Sequence, residues 1–161
     1  MSKTIEKAIE IYEELWQLRD HNRDDWGKID TLEKQVDALW QAAIKPYEAL
    51  FGRHAAALGT LVGPGWWEPL LEMLDDMSKI PNFVGNFQIA QIKEKFGGLR
   101  CYLTRTNDDR TPELDEAFAA ALKLGQKAEQ LCDTRCERCG EPGETRGGGW
   151  IKTACDRHAK H

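Results

Sequence analysis

No stretch of this 161-residue chain approaches the roughly 18 consecutive apolar residues that a membrane-spanning helix needs. Residues 1–15 interleave Glu and Lys with apolar positions and contain no apolar run of the signal-peptide kind, so the expectation is a cytoplasmic protein with no membrane partner. Surplus positive charge is missing as well. Lys and Arg number 22 against 27 Asp and Glu, a formal net charge of −5, which argues against coating nucleic acid with the whole surface. A local basic patch is still allowed. Histidine is scarce, with four in all, and no nucleophile motif, phosphate loop or spaced carboxylate pair is present. The best isolated acid is Glu94, between Lys93 and Lys95, and its simpler reading is a solvated strand residue. The chain is therefore expected not to be an enzyme. Internal repeats and low-complexity segments are absent.

What is plentiful is tryptophan, six in all, which supplies large apolar area from few positions. Residues 3–20 read as an amphipathic helix with Ile5, Ala8, Tyr12 and Leu15 on one face and Ile11 and Leu18 flanking it. A polar turn over 20–25 leads to a second helix, starting near Asp25 or Asp30 and reaching Leu50, with Pro46 interrupting it. In that helix Ile29, Leu32, Val36, Leu39 and Ala43 have the spacing of a coiled-coil seam, while Trp40, Ile44, Tyr47 and Phe51 widen the stripe. The two helices predict an antiparallel hairpin over 1–57. Two readings of it are open: it packs on the rest of the chain, or it is an arm for a partner protein or for a second copy in a homodimer.

Glycines and a proline over 58–65 mark a boundary, so 58–161 is expected to form a second, α+β unit ending in a zinc module over 132–161. Trp66 to Met77 reads as a short helix with Trp67, Leu70, Leu71 and Leu74 on one face and Pro69 in its first turn. Residues 87–105 predict a β-hairpin turning at Gly97-Gly98 and pairing Phe96 with Leu99. Phe96, Ile92, Ala90, Leu99, Cys101 and Leu103 then share the buried face, and Gln91, Lys93, Lys95, Arg100 and Tyr102 the polar one. Thr111-Pro112-Glu113 reads as a helix start, and Leu114, Phe118, Ala121, Leu122, Ala128 and Leu131 as that helix's apolar face up to about Cys132.

Five cysteines is an odd number, and four of them crowd into residues 132–155, which in a reducing compartment reads as metal binding. Cys136 and Cys139 are separated by two residues, fifteen residues follow, and Cys155 and His158 repeat the two-residue gap. Such gaps let one tight turn present both ligand atoms to a single ion, and four filled positions make a closed, structural zinc site. Gly140 permits the chain to reverse after Cys139, and the glycines between the pairs suggest a small hairpin of treble-clef or ribbon type. Apolar burial is too small in such a unit, and metal binding supplies on the order of 10 kcal/mol in zinc-finger peptides. Cys132 reads as the last buried position of the preceding helix, Cys101 as core, His161 as a spare ligand, and His21 and His54 as solvated. Trp150 and Ile151 are expected to pack the module on its neighbours.

Gly65-Trp66, the run Gln91-Ile-Lys-Glu-Lys-Phe-Gly-Gly-Leu-Arg100 with Tyr102, Cys136 to Gly143, and Gly149-Trp150 through Cys155-Asp-Arg-His158-Ala together resemble a family of small, uncharacterised phage and bacterial proteins. The resemblance covers roughly residues 64–160 and leaves the helical arm as an addition. It implies an origin in a phage or prophage and residence in a bacterial host cell, but no activity. The functional expectation is a zinc-stabilised binding protein that docks on a protein partner, such as a host defence assembly. The alternative is nucleic-acid binding through Lys93, Lys95, Arg100 and Tyr102, with Arg135, Arg138, Arg146 and Lys152 extending the patch.

Overall fold

The computed structural model describes residues 2–22, 24–52, 62–147, 149 and 151–159. His54, Trp150, His161 and the first half of the expected boundary over 58–65 lie outside the described residues. The chain folds as an α+β protein. Helices α1 (Lys3–His21) and α2 (Trp26–Ile44) form the antiparallel hairpin. Ser2 caps α1 through its side chain on Ile5 N–H, and Asp25 caps α2 on Lys28 N–H. Pro46 ends the second helix as expected, because it cannot extend the α ladder; the chain continues as a 3-10 turn over Lys45–Leu50.

The stripes differ in detail from the sequence pattern. Helix α1 buries Ile11 where Tyr12 was expected, leaving Tyr12 half-buried. Helix α2 buries Ile29, Leu32 and Val36, then Trp40 and Ile44, while Leu39 and Ala43 are half-buried. After Val36 the interval stays at four residues where a heptad seam needs three, so the stripe drifts off the seam and follows the straight helix toward the body. Its destination is α3 (Trp67–Ser78): the Trp40 and Trp67 rings meet at 5.1 Å between centroids.

Strands β1 (Phe87–Lys95) and β2 (Gly98–Arg105) pair antiparallel. The turn is Phe96-Gly97, not Gly97-Gly98, with φ of 54° and 77° at its two residues and Lys95 opposite Gly98. Two consecutive positive φ values give the hairpin-favoured twist. The true register, Glu94 opposite Leu99, is two residues from the expected one. Since side chains alternate with a period of two, Ile92, Leu99, Cys101 and Leu103 keep their core-side placement. Phe96 and Ala90 do not: Phe96 is 69% exposed at the turn, and Ala90 sits in a bulge between Ile89 and Gln91 and is exposed. The bulge brings Ile89 and Phe87 onto the core side in Ala90's place.

Helix α4 (Pro112–Cys132) starts where the sequence places it, with Thr111 Oγ1 accepting from Leu114 N–H at 3.3 Å. It packs on α3 and β2. The Phe87 and Phe118 rings meet at 5.1 Å, and Arg105 lies over both. One continuous apolar cluster joins α1, α2, α3, both long strands and α4. Each large side chain fully buried there contributes about 1.5–3 kcal/mol, so this body holds itself together by burial. The C-terminal unit does not: its own buried cluster is Cys136, Cys139 and Ala154. It contains strands β3 (Glu144–Arg146) and β4 (Lys152–Ala154), paired antiparallel, and a 3-10 turn over Asp156–His158. No helix among the described residues is long and apolar enough to cross a membrane.

Candidate metal centre

Helix α4 delivers the chain into the cysteine cluster at Cys132, which is buried and closes the helix. The first ligand pair is a tight knuckle. Gly140 N–H returns to Cys136 C=O at 2.8 Å, and Gly140 takes a φ of 77°, which a glycine adopts without steric cost. The second pair is the end of β4 and the 3-10 turn, where His158 N–H donates to Cys155 C=O at 3.0 Å. The β3–β4 hairpin lies between the pairs. This is the order of a treble clef, closed among the described residues by a single 3-10 turn.

The four expected ligands converge. One ligand atom each from Cys136, Cys139, Cys155 and His158 lies within 4.8 Å of the others. Cys139 Sγ and Cys155 Sγ are 3.8 Å apart, and His158 Nδ1 lies 3.3 Å from Cys136 Sγ and 3.4 Å from Cys155 Sγ. A tetrahedron built on zinc bond lengths has edges of about 3.8 Å between sulfurs and about 3.6 Å between sulfur and nitrogen. The cluster fits one metal ion of that size and fills its coordination with protein atoms.

Protonation is consistent with this. Burial pushes the Cys139 thiol up to about 12. Burial also pushes Cys155 up, but the N–H groups of His158 and Arg157 and the sulfhydryls of Cys139 and Cys136 outweigh it and hold that thiol below its ordinary value. Burial lowers His158, keeping the imidazole neutral, the form that ligates. A bound cation reverses the logic for the thiols by stabilising their anions.

A further geometric test comes from α1. Glu13 Oε1 lies 2.8 Å from His158 Nε2 and, though buried, makes no aligned hydrogen bond with any group. The carboxylate is satisfied only if Nε2 carries the proton. That tautomer leaves Nδ1 unprotonated and facing the sulfurs, as a metal requires. Glu13 also accepts from Arg138 Nη2 at 3.2 Å, and Arg157 stands 3.8 Å away. The Arg138 guanidinium lies over the Trp16 ring at 5.0 Å.

Two more contacts hold the unit against the body. A 3-10 turn over Pro64–Trp66 clamps the first knuckle. There Gly65 N–H donates to Glu137 C=O and Trp66 Nε1–H to Arg135 C=O, both at 2.8 Å, while Gly63 N–H meets the Glu137 carboxylate at 2.9 Å. Burial raises Glu137 to about 7. On the other side Thr153 Oγ1 donates to Gly97 C=O, in the turn of the long hairpin, at 2.5 Å. Ion pairing of Arg135 with Glu68 at 2.9 Å reinforces the clamp.

The remaining site candidates form no second centre. Lys93 and Tyr102 share the outer face of the hairpin, with the ammonium 5.2 Å from the ring centroid; Lys95 pairs similarly with Phe96 at 5.4 Å. Arg100 turns back to its neighbour's carbonyl, Leu99 C=O, at 2.6 Å. Three of the four residues expected to extend this patch are held in ion pairs. Arg135 and Arg138 are committed to Glu68 and Glu13, and Arg146 to Asp156 at 2.6 Å. Cys101 is half-buried against the core and its thiol is pushed up to about 12 by burial.

Glu13, Arg138, Glu137 and Gly65 carry the architecture of the site and were not singled out from the sequence for it. Their partners lie far along the chain, and no local spacing marks them. No family model, curated protein or solved structure matches the chain.

Proposed function

We propose that this is a non-enzymatic, zinc-stabilised binding protein whose helical hairpin docks on a protein partner. The observation that carries the reading is a cleft of about 730 Å³ at the turn end of α1 and α2, lined by Trp16, Trp26 and Ile29 and rimmed by Arg19, Asp20, Asp30 and Glu33. Trp26 is 70% exposed there. An exposed tryptophan beside an apolar cleft is the composition of an interface hot spot, where aromatic anchors carry most of the binding energy. Zinc is the proposed metal because three thiolates and an imidazole in a closed tetrahedron suit it best. Four protein ligands leave no open position for substrate, which supports a structural role. The resemblance to phage and bacterial proteins makes a host assembly the proposed partner, with inhibition of host defence as the role that follows.

The test is site-specific photo-crosslinking in bacterial cells, with a benzoylphenylalanine at position 26 and, as control, at the solvent-exposed Lys123 of α4. A discrete adduct from position 26 alone is expected. Equal adducts from both positions, or none from 26, would overturn the arm as docking site.

A second reading has its own observation. Phe96 is a bulky residue at positive φ, strained and exposed, with Lys95 against its ring and the Lys93–Tyr102 pair on the same hairpin. Strain of that kind is retained at functional positions, and aromatic platforms flanked by lysines suit single-stranded nucleic acid. Salt-dependent binding of an oligonucleotide, abolished by the double change Lys93→Glu and Lys95→Glu, would favour it over the protein partner.

A further inference from the structure

We infer that Glu13 of α1 belongs to the metal centre, holding the ligating imidazole from behind, so that metal binding and docking of the N-terminal helix are one linked equilibrium. The inference rests on the metal-site reading and adds an element from the opposite end of the chain to it.

His158 has two ring nitrogens and the geometry gives each one task. Nδ1 faces Cys136 and Cys155 at 3.3 and 3.4 Å. Nε2 faces Glu13 Oε1 at 2.8 Å, and His158 is only 3% exposed. A carboxylate accepting from the distal N–H of a metal-bound histidine fixes the ring's tautomer and orientation and raises its basicity toward the metal. Charge is arranged to match. A zinc ion with three thiolates carries one net negative charge, and Glu13 adds another; Arg138 and Arg157, both within 4 Å of Glu13, offset the two. Arg138 is placed by the knuckle itself, between two ligands, and reaches 125 residues back along the sequence to α1. Its guanidinium then lies on Trp16, which lines the cleft at the end of the arm. Ile9 completes the contact by packing on the knuckle's apolar side.

An ordinary ion pair would stitch α1 to the knuckle equally with and without metal. The arrangement seen here cannot be neutral to the metal, because the shared group is the imidazole that ligates. By linkage, whatever Glu13 adds to metal affinity, metal adds to docking of α1.

The experiment is zinc competition against a chromogenic chelator on the full chain, with Glu13→Ala and the near-isosteric Glu13→Gln, each compared with the wild type. Expected is a loss of about 10–100-fold in zinc affinity for Glu13→Ala and a smaller loss for Glu13→Gln. Hydrogen exchange is measured on the same samples. Removing zinc from the wild type should speed exchange around residues 9–17 of α1 and leave the centre of α4 unchanged. In Glu13→Ala, α1 should exchange fast whether or not zinc is bound. Unchanged affinity in both variants, or α1 protection indifferent to zinc, overturns the inference while leaving the metal site standing. A wild type that binds no zinc removes the metal reading itself. If Glu13→Ala does not fold, Glu13→Gln and the wild-type exchange experiment decide.

Discussion

Replacing Gly65 by alanine should loosen the whole C-terminal unit, although residue 65 is neither a ligand nor in a turn that demands glycine. Its φ lies outside the positive region, so an alanine there meets no backbone strain of its own. The obstacle is space. An added Cβ would stand 2.7 Å from Glu137 O and closer still to Cys136 O and Gly140 N, all of them backbone atoms of the first knuckle. No rotamer can relieve a backbone contact, so the Pro64–Trp66 turn must back away from the knuckle. Retreat stretches two hydrogen bonds of 2.8 Å, Gly65 N–H to Glu137 C=O and Trp66 Nε1–H to Arg135 C=O. Each is worth about 1 kcal/mol, and overpacking adds about 1–3 kcal/mol. The expected loss is about 3–5 kcal/mol, which for a chain of this size lowers the melting temperature by on the order of 10 °C. Urea unfolding of the metal-loaded protein measures it, read by release of the metal for the C-terminal unit and by far-ultraviolet circular dichroism for the helical body. Gly27→Ala is the control: it sits in the first turn of α2 with nothing within 4 Å of an added Cβ, and should be neutral or stabilising by up to about 1 kcal/mol. If Gly65→Ala unfolds within about 0.5 kcal/mol of the wild type, the clamp does not hold the knuckle and the reasoning fails.

Trp66→Phe keeps most of the buried ring but strands the Arg135 carbonyl, and should cost about 1–3 kcal/mol in the same urea assay. Phe96→Asn should stabilise by about 1 kcal/mol, since Asn tolerates positive φ and precedes Gly97 in the favoured hairpin turn; a lower urea midpoint would contradict the turn assignment. Iodoacetamide at pH 8, read by mass spectrometry, should label no cysteine of the zinc-loaded protein and only Cys136, Cys139 and Cys155 after chelation. At pH 8 only about one in ten thousand Cys101 thiols is ionised, given a value of about 12, and Cys132 is buried and raised further, so rapid labelling of either would refute its placement. Chelation should also abolish the order of the C-terminal unit while the helical body keeps its far-ultraviolet signal, because among the described residues only the former lacks an apolar core.

The convergence of Cys136, Cys139, Cys155 and His158 was legible because its signal is local: two gaps of two residues each put the pairs on single turns. The start of α4 was legible for the same reason, a capping threonine followed by proline. The long hairpin was half legible. Its faces followed from alternation, but two adjacent glycines drew the turn one residue too far, and nothing in the letters marks the bulge at Ala90. Phe96 breaks the local rule for its position, which is why it was expected inside. In α2 the first three seam residues read correctly, and the next two did not, because Trp40 is recruited by Trp67 on a helix the pattern could not place. Least legible were the contacts that dock the unit, Glu13 on His158 and Gly65 under the knuckle. Both join segments distant along the chain, and their residues look like an ordinary helix surface and an ordinary loop.

The reach from Arg138 back to Glu13 also sets an order of events during synthesis. At ribosomal speeds the 125 residues between them take on the order of ten seconds to make. Throughout that interval α1 can pair with α2, yet Glu13 and Trp16 have no guanidinium to meet and no imidazole to hold. Helix α1 is thus finished by residues translated long after it, and by the inferred linkage the step that finishes it would follow capture of an ion. By the inferred linkage, molecules made in a cell short of the metal would carry a formed helical body, α1 included, with Glu13 and Trp16 still lacking their last contacts.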